Sequence, residues 1–214
     1  MNKLAIFLPT YKRPDVLQAV ATHIEENTKN PFTLYFGLEP DDTRGIEAAK
    51  ATGHKVVVNQ YEQGYSNTIQ TIYENSEEPF FLHANDDFQF HKDWDEVPLS
   101  MFTPPIMVVG LKQSETDNHG SAISMIAREY IEKQSGVIDI PNRVFYPYGH
   151  NYCDTELTRT AQKRGVWGMC GPQVITHMHP GFTGKDKDDT HRKNDAKGEA
   201  DRQTFEKRVN LLGF

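Results

Sequence analysis

Two neighbouring carboxylates stand just past an apolar run in the stretch Pro79 to Phe90, PFFLHANDDFQF. Like charges this close disfavour joint ionisation, and a divalent cation at Asp86-Asp87 removes the conflict. Hard oxygen donors suit Mg²⁺ or Mn²⁺, which keep part of their coordination shell for a phosphate. The plainer reading of an Asp-Asp pair is a solvated turn. Farther along, His177 and His179 form a His-x-His pair after an apolar stretch and before Pro180-Gly181. Residues two apart on a strand share a face, so both rings can approach one cation. His177, the first to leave the strand, is the preferred ligand to join Asp87.

These residues need a frame. The chain has 214 residues, 37% apolar and 11% aromatic, enough for a packed core and one large domain. Its net charge of −7 excludes bulk attraction to nucleic acid or anionic membrane as the default. The opening MNKLAIFLPT is too short in apolar length for a signal peptide or a membrane span and reads as a first strand; no membrane anchor and a cytoplasmic location are expected. Cys153 and Cys170 have the spacing of neither a disulfide framework nor a zinc site.

Residues 4–8 and 32–38 read as strands, as do the Val56-Val57-Val58 run and the strand at Phe80. Helices are expected between them: from Pro14 to about Asn27, from Thr43 as cap to about Ala51, and from Gly64 with Ile69 and Ile72 inward. Strands alternating with helices predict a mostly parallel sheet with right-handed crossovers. The second half is less regular, with strands expected over 106–111, 121–126, 166–169 and 174–178 and an extended aromatic segment over 144–148. Helices are expected over 155–164 and 205–212. The expected fold class is therefore α/β, with residues 1–90 as a nucleotide-binding half, 91–182 as a smaller mixed half for a second substrate, and 183–214 as a charged tail and closing helix.

The order of these features resembles a GT-A glycosyltransferase (a Rossmann-like fold), in particular the large inverting family typified by bacterial polysaccharide synthases. Pro9-Thr10-Tyr11-Lys12-Arg13-Pro14 resembles that family's loop against the nucleotide base, and Glu39 to Asp42 stands where members hold base or ribose. Gly64-Tyr65-Ser66-Asn67 resembles its Gly-x-x-x-Asn helix start. Asn85-Asp86-Asp87 occupies the Asp-x-Asp position, and Cys153-Asp154-Thr155-Glu156-Leu157 resembles the Glu-Asp-x-x-Leu segment that carries the acceptor-activating base. Asn85 replaces the usual first Asp, and the Arg/Gln-x-x-Arg-Trp motif of processive enzymes is missing.

The resemblance implies Pro9, Thr10, Tyr11, Arg13, Glu39, Asp41, Asn67 and Asp86 at the nucleotide, Asp87 and His177 at Mn²⁺ or Mg²⁺, and Asp154 as base. It also implies a nucleotide-diphosphate sugar donor, a UDP-sugar first, and an acceptor that is a glycan or, as in some phage relatives, hydroxymethylated DNA. The chemistry asks for the same parts: neutralisation of a leaving diphosphate, a hold on base and ribose, and a proton acceptor for the attacking hydroxyl. Asp154 has a plainer role too, as a helix cap, with Glu156 as the alternative base. The tail from Gly184 to Lys193 is either a solvated charged face or a lid whose Lys185, His191 or Arg192 closes on the diphosphate. Two other functions fit the pattern: a silent nucleotide-sugar or glycan-binding module, and a nucleotidyltransferase, although residues 4–14 contain no glycine for a phosphate loop.

Overall fold

The computed structural model describes residues 4–114, 117, 122–179, 192 and 196–213. The first half runs β1 (Leu4–Pro9), a tight helical turn (Pro14–Val16), α1 (Leu17–Asn27), β2 (Phe32–Leu38), α2 (Thr43–Ala51), β3 (Lys55–Val58), α3 (Tyr65–Glu74) and β4 (Phe80–His83). Then come β5 (Phe88–Phe90), α4 (Glu96–Ser100), β6 (Val108–Gly110), β7 (Ser124–Ala127), α5 (Arg128–Gln134), α6 (Cys153–Lys163), β8 (Trp167–Met169), β9 (Ile175–His177) and α7 (Gly198–Leu212). The described strands form a seven-stranded sheet in the order β3-β2-β1-β4-β7-β6-β8 and a separate β5-β9 pair. Strands β1 to β4 are parallel, and β7 runs antiparallel to both β4 and β6.

Strand β1, flanked by β2 and β4, is buried on both faces, which is why its sequence is a continuous apolar run. Its alternate residues serve two cores. Leu4, Ile6 and Leu8 pack with Leu17, Ala21 and Ile24 of α1, while Ala5 and Phe7 pack with Ile69, Ile72 and Tyr73 of α3. Phe7 stacks on Phe81 of β4 at 4.7 Å between ring centroids. Gly37 in β2 sets how closely α3 approaches: a Cβ there would lie 2.5 Å from Thr68 Cγ2 and 2.7 Å from Ile72 Cδ1. The start of α3 is thereby held against the carboxyl end of β2.

Several expected boundaries move. The strands expected over 106–111 and 121–126 are Val108–Gly110 and Ser124–Ala127. The aromatic segment 144–148 joins no ladder. Its backbone is claimed elsewhere, the Val144 N–H donating to Gln70 Oε1 and the Arg143 carbonyl accepting from Gly136, while Val144, Phe145 and Tyr148 enter the core. Asp42, not Thr43, caps α2, its carboxylate accepting from Gly45 N at 3.0 Å. Helix α6 begins at Cys153 and α7 at Gly198, both earlier than expected. The β5-β9 pair is absent from the expectations altogether. No helix among the described residues is long and apolar enough to cross a membrane, and both cysteines are free and buried.

Candidate active site

The carboxyl ends of β1, β2 and β4 open onto one cavity of about 540 Å³, within the range of small-molecule sites. Pro9, Thr10, Tyr11, Arg13 and Glu39 line one side, and Asn85, Asp86 and Asp87 lie below. Gln63, Gly64, Tyr65 and Thr68 at the start of α3, Gly149, His150 and Asn151 from the loop before α6, and His179, Ala196 and Lys197 complete it. Ligands of open α/β sheets bind at this edge because the loops leaving the strands converge there.

Asp86 organises the first loop. Its two oxygens accept from Thr10 Oγ1 at 2.8 Å and from Arg13 Nη1 at 2.5 Å. Burial raises its pKa, and the Arg13 charge and the Thr10 hydroxyl oppose that rise. Tyr11 donates its hydroxyl to exposed Asp41 at 2.8 Å, which, with Lys12, holds the Asp41 pKa down. Tyr11 lines the cavity and Asp41 does not.

Glu39 lines the cavity, yet its carboxylate is already committed. It accepts from Asn59 Nδ2 at 3.0 Å, Thr68 Oγ1 at 2.9 Å and Gly64 N at 3.2 Å. It ties the start of α3 to the end of β2. Gly64 there has φ 154° and ψ 153°, a conformation open in practice only to glycine. Asn67 turns away: it donates to the Glu62 carbonyl and accepts from Arg143, and it is not among the lining residues. For Glu39 and Asn67 the geometry thus gives a structural duty where the sequence suggested contact with a nucleotide.

Asp87 and His177 come together through the short β5-β9 pair. Phe88 stands opposite His177 in the antiparallel register, and Met178 N donates to the Asp87 carbonyl at 2.9 Å. Asp87 Oδ1 then lies 3.2 Å from His177 Nε2, at ion-pair distance but not aligned as a hydrogen bond. His177 Nδ1 lies 2.8 Å from Gln113 Oε1. For Nε2 to serve a cation, the ring proton would sit on Nδ1 and be donated to Gln113, and the Nε2 lone pair would turn to the metal in place of the contact with Asp87 that lowers the carboxylate's pKa.

Two metal bonds of about 2.1 Å at a right angle leave their donor atoms about 3 Å apart, so this pair fits an octahedral Mg²⁺ or Mn²⁺. Burial pushes the Asp87 pKa up, but the His177 ring and Arg13 more than offset it and hold the carboxylate below its ordinary value. Among the described residues no three His, Cys, Asp or Glu side chains gather as a complete metal cage; a cation held here would take its other ligands from water and substrate. His179 lines the cavity, its ring 5.4 Å from that of His177.

Asp154 lies in the first turn of α6 rather than at its cap, which is Tyr152 in the left-handed region. Its Oδ1 accepts from Thr155 N at 2.7 Å. It is half-buried and is not among the cavity's lining residues, although its charge acts on Tyr65, which is. Burial raises the Asp154 pKa, with the Thr155 donors and His177 opposing. Glu156, the alternative base, is 1% exposed and locked: Arg208 grips it through Nε at 2.7 Å and Nη2 at 2.6 Å, and Tyr148 donates to it at 2.7 Å. It cannot serve as base without breaking that network. Lys185 and His191 lie outside the described residues. Arg192 is described, exposed, and not among the lining residues.

The sequence reading assigned no role to Gln63, Tyr65, His150, Lys197 or His83, the fully buried neighbour of Tyr65. His83 alone carried a signal, as a titratable residue ending a strand of Phe and Leu.

The likeness to solved structures is strong in shape and weak in sequence. Glucosyl-3-phosphoglycerate synthase from Mycobacterium tuberculosis, in complex with Mn²⁺, UDP and glucosyl-3-phosphoglycerate, superposes with a TM-score of 0.70 at 11% identity, over 100% of this chain and 81% of that one. The fold is GT-A. A mannosyltransferase from Pyrobaculum calidifontis, in complex with GDP-Man and Mn²⁺, gives a TM-score of 0.64 at 12% identity over 83% of this chain and 57% of that one. The mycobacterial synthase with Mg²⁺ and UDP gives 0.60 at 9% identity over 94% and 79%. No family model matches the chain, and no curated protein matches it in sequence. At these identities the likeness establishes the GT-A fold and leaves the chemistry to the site.

Proposed function

We propose that this chain is a metal-assisted glycosyltransferase that moves one sugar from a nucleotide-diphosphate sugar, a UDP-sugar first, to an acceptor hydroxyl. The observation that carries the reading is the Asp87–His177 pair, 3.2 Å apart, of which Asp87 lines a cavity on the carboxyl edge of a GT-A sheet while His177 lies outside that lining. The solved structures of like fold hold Mn²⁺ or Mg²⁺ with UDP, or Mn²⁺ with GDP-Man, which supports the same pairing here. A divalent cation held by Asp87 and His177 would neutralise the diphosphate as it leaves.

The chain supplies the remaining parts. Tyr11 offers a face to the base, and Arg13, fixed by Asp86, brings a positive charge to the same side. Thr10 is oriented by the same carboxylate. Asp154, with its raised pKa, takes the proton from the acceptor hydroxyl as it attacks from the face opposite the diphosphate, giving inversion. The acceptor is a glycan or a hydroxymethylated base; the net charge of −7 weighs toward the glycan.

The test is release of nucleoside diphosphate from UDP-glucose and GDP-mannose in Mn²⁺, with glycans or hydroxymethylated DNA as acceptor. Release that Asp87→Ala lowers at least tenfold is expected. Donor binding without release from either would contradict the transferase reading and leave a silent binding module.

A further inference from the structure

Tyr65 opens α3 and stands in the cavity wall beside Gly64 and Thr68. Its ring is held by Phe145 at 6.2 Å and His150 at 6.4 Å between centroids. Its hydroxyl oxygen lies 3.0 Å from Nδ1 of His83, the last residue of β4. On the other side of that imidazole, Nε2 lies 3.0 Å from the backbone N of Ser124.

An amide N–H only donates, so Nε2 must carry a lone pair. His83 is 1% exposed, and burial brings its pKa down to about 3, so the ring is neutral and its single proton sits on Nδ1. That proton is donated to the Tyr65 oxygen. The phenol's own proton therefore has to go elsewhere, and the hydroxyl has no other hydrogen-bond partner among the described residues. It also stays bound: burial raises the Tyr65 pKa well above its ordinary value, and the nearby Cys153, Asp154 and Asp87 add to the rise.

We propose that Tyr65 is a specificity-determining residue whose O–H, oriented by His83, donates to a hydroxyl oxygen of the transferred sugar. The placement argues for the sugar. Tyr65 shares the cavity lining with Asp87, where the diphosphate would be held, and its ring lies against His150 of the loop that leads into Asp154, where the acceptor would lose its proton. The sugar is what spans those two points. This inference rests on the glycosyltransferase reading and sharpens it, because a buried polar group built to bond a substrate hydroxyl rejects analogues that lack it.

The test is calorimetry in Mn²⁺ with UDP, UDP-glucose, GDP and GDP-mannose, on the wild type and Tyr65→Phe. Loss of one hydrogen bond in a desolvated site is expected to weaken the sugar nucleotide about tenfold or more, while the plain diphosphate binds within about twofold of wild type. Retained diphosphate affinity also shows that the variant is folded. Equal weakening of both ligands would assign Tyr65 to the diphosphate or to the fold, and no weakening would leave it without a contact; either overturns the proposal. A series of donors each lacking one sugar hydroxyl tests the wild type directly. One position should cause the same loss in wild type and none in Tyr65→Phe, and a wild type indifferent to all positions overturns the proposal even if the variant does not fold. A wild type that binds neither diphosphates nor sugar nucleotides would instead refute the glycosyltransferase reading, and this proposal with it.

Discussion

Asp154 and Glu156 sit two residues apart in one helical turn and do different work. Asp154 is half-buried, close enough to Tyr65 and His177 to interact electrostatically with both, and its pKa is raised by burial. Asp154→Asn is expected to keep the fold and the donor affinity and to lower transfer about 10² to 10⁴-fold, the usual worth of a positioned proton acceptor; steady-state kinetics beside donor titration checks this. In the wild type the rate should rise with pH through a midpoint above the ordinary carboxylate value, and that acid limb should vanish in the variant. The stability effect has the opposite sign. A carboxyl whose folded pKa is raised binds its proton more tightly folded than unfolded, so its contribution falls as pH rises from the unfolded value through the folded one. Asp154→Asn should therefore cost no stability at neutral pH. Glu156→Ala is the contrast. It leaves Arg208, 6% exposed, with Asp139 as its remaining carboxylate partner, and loss of one partner of a buried pair costs about 3–5 kcal/mol. Urea denaturation should show that loss, and donor affinity per folded molecule should be unchanged.

At the scale of elements, two devices bring distant segments to the cavity, and neither is legible in the sequence. The first is the pairing of β5 with β9, three residues each, which sets His177 beside Asp87. Phe88-Gln89-Phe90 does alternate, but so short a pattern names no partner 85 residues away. The second is Asp201 of α7. Its carboxylate accepts from the backbone N–H groups of Gly149, His150 and Asn151, each at 2.8 Å, so the last helix shapes the loop that lines the far wall. Phe205 of the same helix stacks on Tyr152 at 4.8 Å and supports that residue's left-handed conformation at the start of α6. Asp201→Ala leaves three donors to find water and is expected to cost about 2–4 kcal/mol. Limited proteolysis should then cut the loop at 149–151 faster than in wild type. Strands β1 to β4 are legible because each is an apolar run closed within two residues by Pro or Asn and separated by one amphipathic helix. The committed carboxylate of Glu39 is not, since its partners Asn59, Gly64 and Thr68 gather around it only once β2, β3 and α3 are packed.

For the whole molecule, the parallel strands deliver the Thr10 loop, Glu39 and the Asp86-Asp87 pair to one edge of the sheet, and the mixed second half returns the chain so that the 149–151 loop and His179 line the same cavity. Alternating strands and helices were enough to anticipate a mostly parallel sheet, because the crossover rule leaves few ways to wind them, and the resemblance of the ordered motifs to the GT-A family supplied the rest of the architecture. The acceptor stayed illegible, since no motif in the sequence names it and the loop before α6 that lines the cavity carries no periodic signal. The central claim is that Asp87 and His177 hold a divalent cation that binds the diphosphate. Calorimetric titration of the full chain with UDP and GDP, in Mn²⁺ and again in EDTA, tests it most directly. At least a tenfold loss of affinity in EDTA is expected, with Asp87→Ala showing the same weak affinity in Mn²⁺; equal affinity with and without the cation would contradict the claim.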